Sequence, residues 1–141
     1  MLALAALLIG FSLRPEAKAK AVAWQDLTSQ VGPLTIVRSE HRLFRDRAKL
    51  VGYLRETKAT RPAPTVDFST GQLLLVSPGP RSSTGYSVEV LSARERSGKI
   101  TVRVQERTPR VGQRVQPHVT YPYRLISLPP AKDVYVDWLG R

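Results

Sequence analysis

The side chains that could do chemistry are few and scattered. Two histidines, His41 and His118, stand far apart, and neither has a partner at i+4 or a carboxylate at metal-ligand spacing. Both read as exposed polar residues. The chain has no cysteine, which excludes a thiolate zinc site, a cysteine nucleophile, a disulfide framework and a lipid-bearing cysteine. Its 11 carboxylates are dispersed, with Glu89 and Glu106 read as outward positions of a hairpin where Arg103 or Arg107 offsets their charge. Pro78-Gly79-Pro80-Arg81-Ser82-Ser83-Thr84-Gly85 carries the glycine and serine of a phosphate loop but lacks its lysine and following helix, so it reads as a shaped turn. No Gly-x-Ser-x-Gly elbow and no dinucleotide fingerprint occurs. These residues predict a non-enzymatic protein without metal or cofactor.

What remains is a surface for recognition. Thr84-Gly85-Tyr86 and Thr120-Tyr121-Pro122-Tyr123 each place a rigid turn next to tyrosine, the side chain that combines an apolar body with a polar tip. Thr84, Gly85, Tyr86, Thr120, Pro122 and Tyr123 are the candidate partner-binding residues, a role implied by the resemblance given below. The competing reading is local: Gly85 as a turn glycine at positive φ before a core tyrosine, Pro122 as a strand start, and the tyrosines as packing groups.

The elements that must hold these turns are legible in the patterning. Leu34-Thr35-Ile36-Val37-Arg38 has strand composition after Gly32-Pro33. Ser39 then stands as a helix N-cap with Glu40 in the first turn, and Phe44, Ala48, Val51 and Leu54 recur at helical spacing, with Leu43 and Leu50 beside them. Prolines 62 and 64 end that helix. Leu73-Leu74-Leu75-Val76 is continuous enough for a strand covered on both faces. Tyr86, Val88 and Val90 alternate with Ser87 and Glu89, as Ile100, Val102 and Val104 do with Thr101 and Arg103; Ser97-Gly98 between the runs signals a hairpin. Residues 109–116 form a loop, and residues 121–128 and 134–138 two further strands. The fold class is α+β, one amphipathic helix packed on a mainly antiparallel sheet.

Length, composition and charge add bounds. At 141 residues, with 42% hydrophobic and 23% charged residues, the chain holds one globular domain with a real core. Leu2 to Leu13 is apolar apart from Gly10 and Ser12, and Ala17-Lys18-Ala19 follows a polar stretch, the pattern of a secretory signal. A helix of that length rises only ~18 Å against a hydrocarbon core of ~30 Å, which argues against a stable transmembrane span. A buried N-terminal helix is the other reading of the run, and no Lys or Arg precedes it. The division is thus a signal peptide over 1–19, a leader over 20–33 anchored by Trp24 and Leu27, and the α+β domain over 34–141, with an exported location. Loss of Arg14, Glu16 and Lys18 with the signal lowers the net charge from +11 to +10. Such a charge attracts polyanions, but the arginines are spread along the chain, which favours loose contact with an acidic envelope surface over a dedicated nucleic-acid site.

Residues 66–128 resemble the C-terminal domain of the protease complex subunit PrcB family, a group of exported bacterial proteins. The resemblance rests on Val66-Asp67-Phe68 leading into the apolar strand, on Thr84-Gly85-Tyr86 opening Ser87-Val88-Glu89-Val90, and on Thr120-Tyr121-Pro122-Tyr123 opening Arg124-Leu125-Ile126. The family often has a Gly-Gly pair before the tyrosine, where this chain has Thr84 and a single Gly85. The resemblance implies a domain that stabilises or assists an exported protease. A shorter likeness, over Ser83 to Tyr86, is to the inhibitory loop of chagasin-type cysteine protease inhibitors and implies a plug for a protease cleft instead.

Overall fold

The computed structural model describes residues 18–140, so the expected signal peptide lies almost wholly outside the described residues. The architecture follows from one strand. β4 (Gln72–Ser77) is buried along its whole length, as its unbroken apolar run predicts, and so needs cover on two faces and pairing along two edges. Its edges pair antiparallel with β3 (Glu40–Phe44) and with β7 (Arg124–Leu128), and the two-residue β2 (Gln25–Asp26) pairs with β7 to complete a four-stranded sheet.

The two faces of β4 divide the core. Leu73 and Leu75 join Leu125, Phe44 and Ile36 in a buried cluster with Leu50, Tyr53 and Leu54 of α2 (Arg47–Glu56) and Val31 of the single-turn α1 (Thr28–Val31). Leu74 and Val76 face the other way with Ile126 and Leu128, against Val88, Ala93, Ile100, Val102 and Val104 of a second sheet. That sheet has the order β1-β5-β6-β8, built from β1 (Lys20–Ala21), β5 (Ser87–Arg96), β6 (Lys99–Arg107) and β8 (Asp133–Leu139). Each fully buried leucine or valine in these clusters contributes ~1.5–3 kcal/mol from leaving water.

The sheets are antiparallel except for β8, which runs parallel to β6. The β5–β6 hairpin turns at Ser97-Gly98 as its sequence predicts, both residues having positive φ. A bulge between Val90 and Ser92 shifts the inward positions from Val88 and Val90 to Ala93 and leaves Leu91 exposed.

Four expectations are corrected. The fold has two sheets rather than one. Residues 40–44 form a strand, not the start of a helix: pairing with β4 overrides their helix-compatible spacing, and the N-cap is Asp46, whose carboxylate accepts from the Lys49 N–H at 2.9 Å. The 34–38 segment forms no ladder among the described residues, although Leu34 and Ile36 are buried; the Thr35 N–H donates to the Thr57 carbonyl at 2.8 Å. Residues 20–33 are not a loose leader, since they supply β1, β2 and α1 and bury Leu27 and Val31.

Candidate functional site

The expected recognition turns lie where the loop between β4 and β5 meets the long loop between β6 and β7. The two are stapled by backbone. Arg81 and Thr120 exchange both N–H···O bonds at 2.8 and 2.9 Å, an isolated two-residue ladder. Thr120 Oγ1 donates to the Ser83 carbonyl at 2.8 Å. The Thr84 N–H donates to the Gln116 carbonyl at 3.1 Å, and the Gln116 N–H returns to Thr84 Oγ1 at 2.9 Å.

Gly85 is required at this junction. Its φ is +96°, and a Cβ there would sit 2.9 Å from Pro109 Cγ and 3.1 Å from Val115 Cγ1. The Gly85-Tyr86 turn is thus packed under the second loop rather than projecting from the molecule. Tyr86 is part-buried, with the Arg81 guanidinium 6.0 Å from its ring centroid.

An ion pair fixes the base of the loops. Arg81 donates through Nε and Nη2 to the two oxygens of Glu106 at 2.6 and 2.8 Å, and through Nη1 to the carbonyls of Pro80 at 2.9 Å and Pro78 at 3.3 Å. Glu106 does not point outward as expected. It lies opposite Val88 and continues the inward row of Ile100, Val102 and Val104, where only a paired carboxylate is tolerated. Glu89 does face outward and pairs with Arg107, whose hydrogen bond holds the Glu89 carboxyl below its usual range. Arg103 pairs with Asp137 instead.

Of the six expected site residues, Thr84, Gly85, Tyr86 and Thr120 come together here. Pro122 sits at the base of the long loop, its carbonyl accepting from Ser77 Oγ at 2.9 Å. Tyr123 is a correction. It is buried on the α-helical side of the first sheet, and its hydroxyl donates to the Gly32 carbonyl. Burial, with the Asp26 carboxylate nearby, pushes its pKa up to about 12. Alternation along the chain after Pro122 turns this ring inward, so it cannot meet a partner.

The outward surface belongs to residues the sequence reading treated only as a loop. Residues 110–119 are all exposed, Val111 completely, with Val115 and Val119 also at the surface. Their tip is a tight turn, Gln113 N–H to Arg110 carbonyl at 3.0 Å, with Gly112 at φ +81°. No carboxylate occurs from residue 107 to residue 132, whereas Arg107, Arg110 and Arg114 do. An open cleft of about 610 Å³ beside the tip is lined by Gly85, Gln105, Glu106, Arg107, Thr108, Arg110 and Gln113. Aliphatic tips with arginines on a braced loop suit contact with another macromolecule. Among the described residues no group of three His, Cys, Asp or Glu is placed to hold a metal, and no helix is long and apolar enough to cross a membrane.

The fold and the braced loops define a mostly β domain of two sheets with a presented loop surface. Residues 73–129, which run from β4 through β7 and include both loops, match the family described as PrcB C-terminal. The resemblance noted over 66–128 is therefore shown for this segment. Comparisons with curated proteins and with solved structures return no match.

Proposed function

We propose that this protein is an exported, non-catalytic binding domain that stabilises or assists a secreted protease, and that the braced loop pair is its partner-facing surface. The observation that carries the reading is the junction of the 81–86 and 108–120 loops inside the segment that matches the PrcB C-terminal family. Cross-loop hydrogen bonds and the Arg81–Glu106 pair order the loops before any partner arrives, which lowers the entropy cost of association. Val111, Val115 and Val119 supply the apolar contact, and Arg110 and Arg114 favour an acidic surface opposite them.

The test is affinity capture from the exported fraction of the source cells, comparing the native protein with Val111→Asp and Val115→Asp. Val111 is wholly exposed, so Val111→Asp should change folding by no more than about 0.5 kcal/mol; Val115 is only 39% exposed and packs on Gly85, so capture by Val115→Asp is compared per folded molecule. A protease retained by the native protein and lost from both variants supports the reading. Equal capture by all three, or capture of no protease, overturns it.

Direct inhibition through a chagasin-like loop is less well supported, because Gly85-Tyr86 lies under Pro109 and Val115 and has little to insert into a cleft. A purely cationic role is also less well supported. Arg42, Arg81, Arg103, Arg107 and Arg124 are each engaged with a carboxylate of this chain.

A further inference from the structure

Helix α2 carries Arg47, Val51 and Arg55 at i, i+4 and i+8, so the three side chains form one stripe. The chain that leaves the helix folds back beside this stripe. The Ala59 N–H donates to the Leu54 carbonyl at 2.9 Å, and Arg47 Nη1 reaches the Pro64 carbonyl at 3.4 Å. A cavity of about 340 Å³ opens between helix and returning chain. Val51, Leu54 and Ala63 give it an apolar floor, and Arg47, Arg55 and Arg61 line it as well. Leu54 is buried, and Ala63 packs on the core beneath.

The chain's own carboxylates do not neutralise this rim. Among the described residues, none of the three arginines is paired with an aspartate or glutamate. Asp46, beside Arg47, is engaged as the helix cap through the Lys49 N–H. Glu56, beside Arg55, lines other cavities with Arg42 and Tyr53. No carboxylate occurs from residue 57 to residue 66. Arg61 is held in place by backbone instead: it donates to the Ser29 carbonyl at 2.7 Å and lies against Gly32, where a Cβ would come within 3.2 Å of it. Guanidinium groups left with unused donors around an apolar floor fit a ligand that carries both carboxylate and apolar groups.

We propose that this cavity is a second binding site, for an extended peptide segment of the pattern acidic-x-apolar-x-acidic. The spacing along α2 selects this occupant. A rise of 1.5 Å per residue puts Val51 about 6 Å, and Arg55 about 12 Å, along the helix from Arg47. An extended chain puts residues i+2 and i+4 about 7 Å and about 13 Å from residue i, all on one face. The two periods coincide, so that face of the peptide meets guanidinium, valine and guanidinium in turn. Each end carboxylate accepts paired N–H donors, and the middle side chain covers Val51 and the floor at Leu54 and Ala63. A free phosphate would use the charge but not the apolar floor between the arginines. The site shares no residue with the loop surface proposed above, and the two stand or fall separately.

The probe is the peptide Glu-Ser-Leu-Ser-Glu, acetylated and amidated so that only its side chains are charged. Titrated into the full chain and followed by backbone amide NMR, it should shift residues within 47–63. Ser-Glu-Leu-Glu-Ser has the same composition and charge but turns its carboxylates to the face opposite leucine. It should bind about fivefold more weakly or worse, and so should Glu-Ser-Ser-Ser-Glu. Arg47→Gln and Arg55→Gln should each weaken binding about threefold or more. Arg38→Gln removes the same charge from an exposed position outside the cavity and should leave binding unchanged. Arg38, Arg47 and Arg55 are all exposed, so none of these variants should alter the far-UV spectrum. Equal binding of the first two peptides overturns the proposal, as does equal weakening by Arg38→Gln or an absence of shifts within 47–63. So does capture of phosphatidylglycerol vesicles through Arg47 and Arg55 with no response to the peptide.

Discussion

Removal of either side chain of the Arg81–Glu106 pair should loosen the loop surface and cost measurable stability. The pair is bidentate at 2.6 and 2.8 Å, with the side chains only 25% and 16% exposed. Hydrogen bonds to charged groups are each worth ~1.5–3 kcal/mol net, and partial exposure trims that value. Arg81→Ala also loses two carbonyl contacts and leaves Glu106 on an inward position, so a loss of ~2–3 kcal/mol is expected. Glu106→Ala should cost ~1–2 kcal/mol, because Arg81 keeps the Pro78 and Pro80 carbonyls. For a domain of this size, 1 kcal/mol corresponds to ~3–4 °C in Tm, so Arg81→Ala should melt roughly 6–12 °C lower. Urea unfolding of the two single variants and the double variant then gives the coupling, expected at ~1–2 kcal/mol. Arg81→Lys should recover little of it, since an ammonium cannot make the paired contact. A coupling under ~0.3 kcal/mol, or full rescue by lysine, would reduce the pair to an ordinary surface contact and refute its bracing role.

Gly85→Ala should cost ~1–3 kcal/mol, because alanine at φ +96° is strained and its methyl meets Pro109; chemical unfolding reads this directly. Leu27→Ala should cost ~2–4 kcal/mol and Trp24→Ala less than ~1, since Leu27 is buried and Trp24 is exposed; equal small losses would return residues 20–33 to a loose leader. The raised Tyr123 pKa has a defined sign. Its contribution is complete below the ordinary tyrosine value of 10.0 and is lost as pH rises toward about 12. Tyr123→Phe should therefore lower stability by ~1 kcal/mol at neutral pH and flatten the decline in stability above pH ~10.

Much of the fold was legible because its strongest signals are local. The apolar 73–76 run, the alternation on both sides of Ser97-Gly98 and the 134–138 strand each state their own geometry. Residues 40–44 misled because Leu43 and Phe44 fit a helical spacing as well as a strand, and the deciding partner, β4, lies some thirty residues away. Residues 20–33 looked like a leader because two-residue strands leave no period to read. At the loop junction, the turn at Gly85 was legible from residue type, since only glycine takes its positive φ without strain. Tyr123 was misplaced even though strand alternation from Arg124 onward would have turned it inward with Leu125. Arg81 was missed because its partner is on the far arm of the hairpin, although the even-numbered phase of Glu106 with Ile100, Val102 and Val104 signals a carboxylate in need of a cation. Val111 went unremarked because exposure of a loop valine follows only from the folded chain.

Salt titration of partner binding tests the central claim most directly. A polyanion held by six or so phosphate contacts loses ~10³-fold or more in affinity between 50 and 200 mM salt, while an apolar contact through Val111, Val115 and Val119 loses much less. At ~0.5 M salt, where the Debye length is about 4 Å, the native protein should still retain its protein partner and Val111→Asp should not. Loss of every interaction by that concentration, in native protein and variant alike, would make the net charge the function and contradict the account.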